Sequence, residues 1–484
     1  MSLQEFEQTP QSASVTALVR RTARGVTWLT LCALIAACGG GEKYQAFDPN
    51  SDFFGADETI DNAATINNPD LLDARVSYPS ETIDIEDPVT GTSFGAVRLL
   101  NAETDGVSKE LDGTGGASSD FAIQAIESID LTLIAEIASP VVGGDTLQAT
   151  SVALSIFDRG MVSYNLRGEA RKGAVDWIGN FSSDEPRVLS QVVFNDTDVN
   201  HVSALGSAVY AASATDDPNV PFAAVLDRVP LRSDRFTLVS YLRQPLTSFA
   251  ATSVFRTGST LYVTSGNAGE ITAHSSWTLD ERGAYPLHDA RWAALAGDRL
   301  VVAQGTPGQL SVFEAGDFPG GSLTLLNTFP FPGADVPEAK TTVDVAGDHA
   351  FVAAGAEGVQ IVCLDDGAIV GNVPRPDPAS LGLDPSVVVT NAVSVDDDLM
   401  FISNGEAGVY VAAAEDDFDD YDCDEAPSLA VLGQLQFGEL ESVNHVEYED
   451  DYLFVAAGLG GVKIVSVETD DDDDDDDDDE DEDD

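Results

Sequence analysis

Apolar and polar residues alternate along this chain in short runs, and the runs recur in a fixed order. Three stretches show it best: FVAAGAEGVQIVCLD at residues 351–365, FISNGEAGVYVAAAE at 401–415 and FVAAGLGGVKIVSVE at 454–468. Each reads as a strand, a glycine-containing hairpin and a second strand, because period-2 alternation buries one face of an extended segment. A valine-bearing strand precedes each pair, and an "LxLLxxh"-type strand follows the first two. The glycine before the third strand falls at Gly308, Gly358, Gly408 and Gly461. Looser copies lie upstream at residues 259–274, 207–227 and 159–179. Across the copies, connecting strands read at 187–194, 236–243, 323–329, 368–374 and 429–437, and the unit around 277–285 is degenerate.

Counting backwards gives seven units of roughly 46 residues, a period that marks repeat architectures. Four short strands per unit, joined by Gly/Asp turns, predict an all-β, seven-bladed β-propeller of four-stranded blades. The absence of a 3.6-residue pattern excludes a helical solenoid. The last copy ends before its fourth strand and passes straight into acid. A strand of the right type, LTLIAEIAS at 131–139, stands unattached ahead of the first unit. An open ring would leave two unpaired edges. Residues 131–138 are therefore expected to pair beside residues 462–467 and close the ring, giving a propeller over 131–468.

The strands GVQIVCLDD, GVYVAAAED and GVKIVSVET resemble the LVIVD-type repeat of exported bacterial propellers. The resemblance implies the fold and an exported location, and no catalytic residue. It is clear in the last three units and loose in the first three.

The N-terminus adds an address. Arg20, Arg21 and Arg24 precede an apolar run over 25–37. That run is short of the about 20 residues that span a bilayer and fits a signal-peptide core. The residues around the paired arginines match twin-arginine export poorly. The run ends in Ile35-Ala36-Ala37-Cys38, which resembles a bacterial lipobox. The resemblance implies cleavage after residue 37 and a lipid on Cys38. Gly39 then points to the outer membrane of a Gram-negative bacterium, facing periplasm or cell surface. Two cysteines remain in the propeller, Cys363 and Cys423, in neighbouring units and in a disulfide-permitting compartment. They form either a bridge or two separate thiols.

Charge narrows the partners. Lys and Arg number 23 against 84 Asp and Glu, a net charge of −61. Such a surface repels nucleic acid. Residues 38–130 read as an acidic tether with a hairpin over 81–100, and residues 469–484 as a disordered poly-acidic tail suited to divalent cations or a basic partner.

Two constellations carry candidate chemistry. Asp416, Asp417, Asp419, Asp420, Asp422 and Asp424 crowd one loop and could offer oxygens to calcium, although the spacing is not that of an EF-hand. Aligning the first strands gives a column of polar residues at the channel mouth: Thr150, Asn200, Thr252, Arg291, Thr341, Asn391 and Asn444, followed in register by His201, Trp292 and His445. Convergent polar groups in a concavity mark a binding site, while a wet channel wall would be polar as well. No G-x-S-x-G elbow, HExxH or phosphate loop occurs. A binding or scaffolding module for a protein or small ligand is therefore expected. A propeller enzyme acting on a saccharide or small metabolite, or a calcium-dependent adhesion protein, are the alternatives.

Overall fold

A computed structural model describes residues 55–83 and 129–469, apart from a few short loop stretches. The signal segment, Cys38, most of the 81–100 hairpin, Asp424 and the acidic tail lie outside the described residues. Seven antiparallel sheets follow one another along the chain, each with its first strand innermost. The innermost strands are Gln148–Ser155, Thr197–Ala204, Ser253–Thr257, Ala290–Ala296, Val343–Ala346, Ala392–Asp396 and His445–Glu449, in blades 1 to 7. The molecule is the seven-bladed propeller that the repeat predicts.

Blades pack face to face, which is why their strands are apolar on both sides. Between blades 6 and 7, Phe401 and Val411 meet Val446, Leu453 and Val465, all essentially buried. Phe351, Phe401 and Phe454 hold the same place in three successive blades and are fully buried. Each contributes about 2–3 kcal/mol by burial alone.

Closure occurs as expected. Ile129–Ile137 pairs antiparallel with Val462–Thr469, with Val467 opposite Leu131 and Val462 opposite Ile137. Gly461 has a positive φ of 77°, and a Cβ there would run into the carbonyl of Ile137. The "GV" start of the strand thus requires glycine because the closing strand lies against it.

Two expectations are corrected. Part of the segment read as a tether is folded onto the ring. Ala63–Ile66 adds a fifth strand to blade 1, pairing with residues 191–194 of Arg187–Phe194. A short helix, Pro69–Asp73, follows. Val76–Ser77 and Glu81–Thr82 then pair with the closing strand of blade 7. Residues 55–83 thus strap blade 1 to blade 7 from outside. Arg75 of the strap reaches Asp176, which is fully buried in blade 1, at 3.1 and 2.7 Å, and donates to the Ala138 carbonyl at 2.9 Å. Second, the outer strand of blade 2 is Leu242–Pro245 and not 236–243. The strap causes the shift: Glu58 accepts hydrogen bonds from the Thr237 hydroxyl and the Leu238 amide, and Phe236 is buried against blade 1. Capture of these residues overrides their strand pattern.

Cys363 and Cys423 are joined in a disulfide. It ties the third strand of blade 5, Val359–Cys363, to the acidic loop of blade 6.

Candidate functional site

Three rings of side chains line the channel, and the sequence spacing explains them. Thr150, Asn200 and Arg291 are each skipped in the pairing of their strands with the next strand of the blade. A bulge of this kind re-aims a residue and lets its successor face the same side. The polar column therefore forms the upper ring. Its successors, His201, Trp292 and His445 among them, form a middle ring. Two residues further on, alternation returns a side chain to the channel, and a lower ring results: Ala153, Ser203, Phe255, Ala294, Asp344, Ser394 and Glu447.

The upper ring is a belt. Asn444 Nδ2 donates to the Ala149 carbonyl at 2.8 Å, Thr150 Oγ1 to Val199 at 2.9 Å and Asn200 Nδ2 to Ala251 at 2.8 Å. Thr252 Oγ1 donates to Ala290 at 2.9 Å and Arg291 Nη1 to Ala339 at 2.7 Å. Each bond crosses from one blade to the next. The lower ring does the converse by accepting amides. Asp344 accepts from Val395 at 2.9 Å, Ser394 from Tyr448 at 3.0 Å, and Glu447 from Leu154. Together the two belts cross all seven junctions. Polar residues expected to await a ligand at Asn200, Arg291 and Asn444 therefore satisfy the neighbouring backbone, which buried carbonyls require. Asn391 is buried, and its Oδ1 has no hydrogen-bond partner among the described residues.

The middle ring closes the channel. His201 and Trp292 pack at a tilt of 59° with centroids 4.3 Å apart, Trp292 and His445 lie 5.0 Å apart, and the two histidines 6.3 Å. Blades 2, 4 and 7 thus meet across a narrow bore. The Val254 amide donates to His201 Nδ1 at 3.1 Å, which leaves the proton on Nε2. Burial, with the nearby Lys340 charge, lowers His201 to about 3 and His445 well below the usual imidazole range. Both rings are neutral near pH 7. No three His, Cys, Asp or Glu among the described residues converge as a metal-holding group. This includes the acidic loop, where Asp417 caps the turn at Phe418–Asp420 and the Asp419 carboxylate accepts the Gly347 amide. Buried Phe418 and Tyr421 anchor that loop, so its shape follows from packing.

The plug separates two cavities. The upper one, about 520 Å3, is lined by Thr150, Asn165, Asn200, Ser248, Phe249, Ala250, Thr252, Ser265, Gly266, Asp289, Arg291, Trp292, Thr306, Ala339 and Lys340. The lower one, about 210 Å3, holds Asp344 and Glu447 below the histidines. The upper cavity is of small-ligand size. Its carboxylate, Asp289, is gripped by Arg291 Nε and Nη2 at 3.2 and 2.9 Å. Glycoside hydrolysis uses a pair of carboxyl groups, and among the described residues no second one lines this cavity.

Sequence reasoning missed Lys340. It directly precedes Thr341 of the upper ring, and its ammonium crosses the mouth to the Thr150 carbonyl. The other predecessors in that column are Ala149, Val199, Ala251, Ala290, Thr390 and Val443. One lysine in a column of small or apolar residues was the available signal.

No family model matches the chain, and no curated protein matches it. Among solved structures, the chain is similar to the computationally designed Ika8 protein, with TM-score 0.40 and 9% identity over 81% of this chain and 100% of that one. It is similar also to the WD40 beta propeller domain of Doa1, with TM-score 0.45 and 11% identity over 68% of this chain and 96% of that one.

Proposed function

We propose that this chain is an exported, lipid-anchored propeller of the LVIVD-repeat type that binds a small ligand in the upper cavity of its channel. One observation carries the binding reading. The upper mouth is an open cavity of about 520 Å3 whose floor is sealed by the His201–Trp292–His445 plug. A sealed floor makes a cup in place of a pore, and a cup with apolar walls and polar groups at its rim suits a ligand. The address rests on the Ile35-Ala36-Ala37-Cys38 stretch. The Cys363–Cys423 disulfide supports it, since such bonds persist in oxidising compartments. In this reading the lipid on Cys38 holds the ring at the outer membrane of a Gram-negative cell.

A fragment library screened by thermal shift tests the binding. The folded protein should give hits whose shift disappears in Ala250→Trp, which fills the cup. Hits that are unaffected by the filling, or no hits at all, would refute it. Cys38→Ser tests the anchor by fractionation: the variant should leave the membrane fraction, and continued membrane retention would count against lipidation.

A further inference from the structure

The geometry points to a small carboxylate with an apolar body as the class of ligand held in the upper cavity, with Lys340 as its ion-pair partner. This deepens the reading of the mouth as a binding site and rests on it.

The inference starts from charge. Acidic residues outnumber basic ones several-fold in this chain, so a lysine normally finds a carboxylate. Lys172 meets Asp145 at 3.1 Å, and Lys463 meets Glu136 at 2.6 Å. Lys340 is the described lysine that meets none. Its ammonium has three donors, and its hydrogen-bond partner among the described residues is the carbonyl of Thr150.

Among the described residues, the other charges of the cavity cancel. Asp289 is held by two nitrogens of Arg291, and Arg291 Nη1 is taken up by Val336, Ala339 and Thr341. Arg291 is therefore a brace, saturated by its own blade and the next, and Lys340 is the charge left to neutralise. A half-buried, unpaired ammonium is costly, and burial accordingly pulls the Lys340 amine down to about 7. An arriving carboxylate would restore the missing partner with a charge-assisted bond. Phe249, which is 54% exposed, and Trp292 supply the apolar wall for the rest of the ligand. The chain's overall negative field opposes this only weakly at physiological salt. Screening confines exposed charges to about 8 Å, and the described charged residues lining the cavity are Asp289, Arg291 and Lys340, a net positive set.

Matched fragments test the class on the intact folded protein. Benzoate and 4-phenylbutyrate are titrated against benzamide and 4-phenylbutyramide at pH 6 by calorimetry. The acids should bind roughly ten- to hundredfold tighter than the amides. Lys340→Met should erase that preference, and Lys340→Arg should keep it. Between pH 6 and 9 the affinity for acids should fall in the wild type, because the free amine loses its proton above about 7. It should stay level in Lys340→Arg. The groups facing Lys340 do not confound this: His201 and His445 are already neutral, and Asp289 stays paired to Arg291. If Lys340→Met fails to fold, the contrast between wild type and Lys340→Arg in pH profile decides. Equal binding of acids and amides, or an acid preference that survives in Lys340→Met, overturns the inference while leaving a binding cup. Failure of every fragment, charged and neutral, overturns the cup as well.

Discussion

Glu447 shows how a channel residue can look functional and be explained by the fold. Its carboxyl is raised to about 8 by burial, and further by the negative Asp344 and Glu449. Such a shift in a cavity invites a catalytic reading. Yet the carboxylate accepts the Leu154 amide across the blade 7–blade 1 junction, as Asp344 and Ser394 do at their own junctions. The titration has a signed consequence. The folded chain binds this proton more tightly than the unfolded one, whose value is near 4.5. The contribution of Glu447 is therefore fully present at low pH and is lost as pH climbs from about 4.5 to about 8. Glu447→Gln, which keeps the acceptor, should melt higher than wild type at pH 9 and level with it at pH 4. An identical difference at both pH values in calorimetric melts would contradict the assignment. At this scale the sequence showed the polar column but not its use. Spacing places Asn200 or Arg291 at the mouth. Only the bulge decides that their donors turn sideways to the next blade.

Closure is the event that matters among the elements, and its two halves differ in legibility. The closing strand could be read because it carries the same alternation as the outer strands of the repeat and stands alone before the first unit. The strap could not. Its strands, Glu58–Thr59, Ala63–Ile66, Val76–Ser77 and Glu81–Thr82, span two to four residues each. A period cannot be seen in so few positions, and the tertiary contacts of Arg75 and Glu58 supply what local pattern lacks. Arg75→Met would leave Asp176 as a buried charge with Tyr164 and Gln191 for partners. Breaking such a pair from one side costs about 3–5 kcal/mol, and the urea midpoint should fall accordingly. A midpoint within error of wild type would show the strap to be dispensable. The disulfide acts on a neighbouring pair of blades across a separation of 60 residues. Replacing both Cys363 and Cys423 by serine should cost about 2–4 kcal/mol, with the wild type matching the variant once reductant is added. A variant as stable as the oxidised protein would refute that contribution.

At the largest scale, the described residues form a ring stitched at two levels, plugged in the middle and open to a cup above. Sevenfold repetition was legible because glycines, valines and phenylalanines recur at fixed intervals. The cup was legible only in part. Asn200, Arg291 and Trp292 were placed at its wall, whereas Asn391 and Asn444 do not line it. Lys340 went unnoticed because a reading by repeat looks for what recurs, and a ligand contact is a departure from the repeat. The bore is narrow enough for the Trp292 ring to contact both histidines, at 4.3 and 5.0 Å. A crystal structure of the protein with 4-phenylbutyrate bound tests the central claim most directly. The expected result is a carboxylate about 3 Å from Lys340 Nζ, with the phenyl ring against Phe249 or Trp292. Density for the acid away from the upper cavity, or an empty cup at saturating acid, would contradict it.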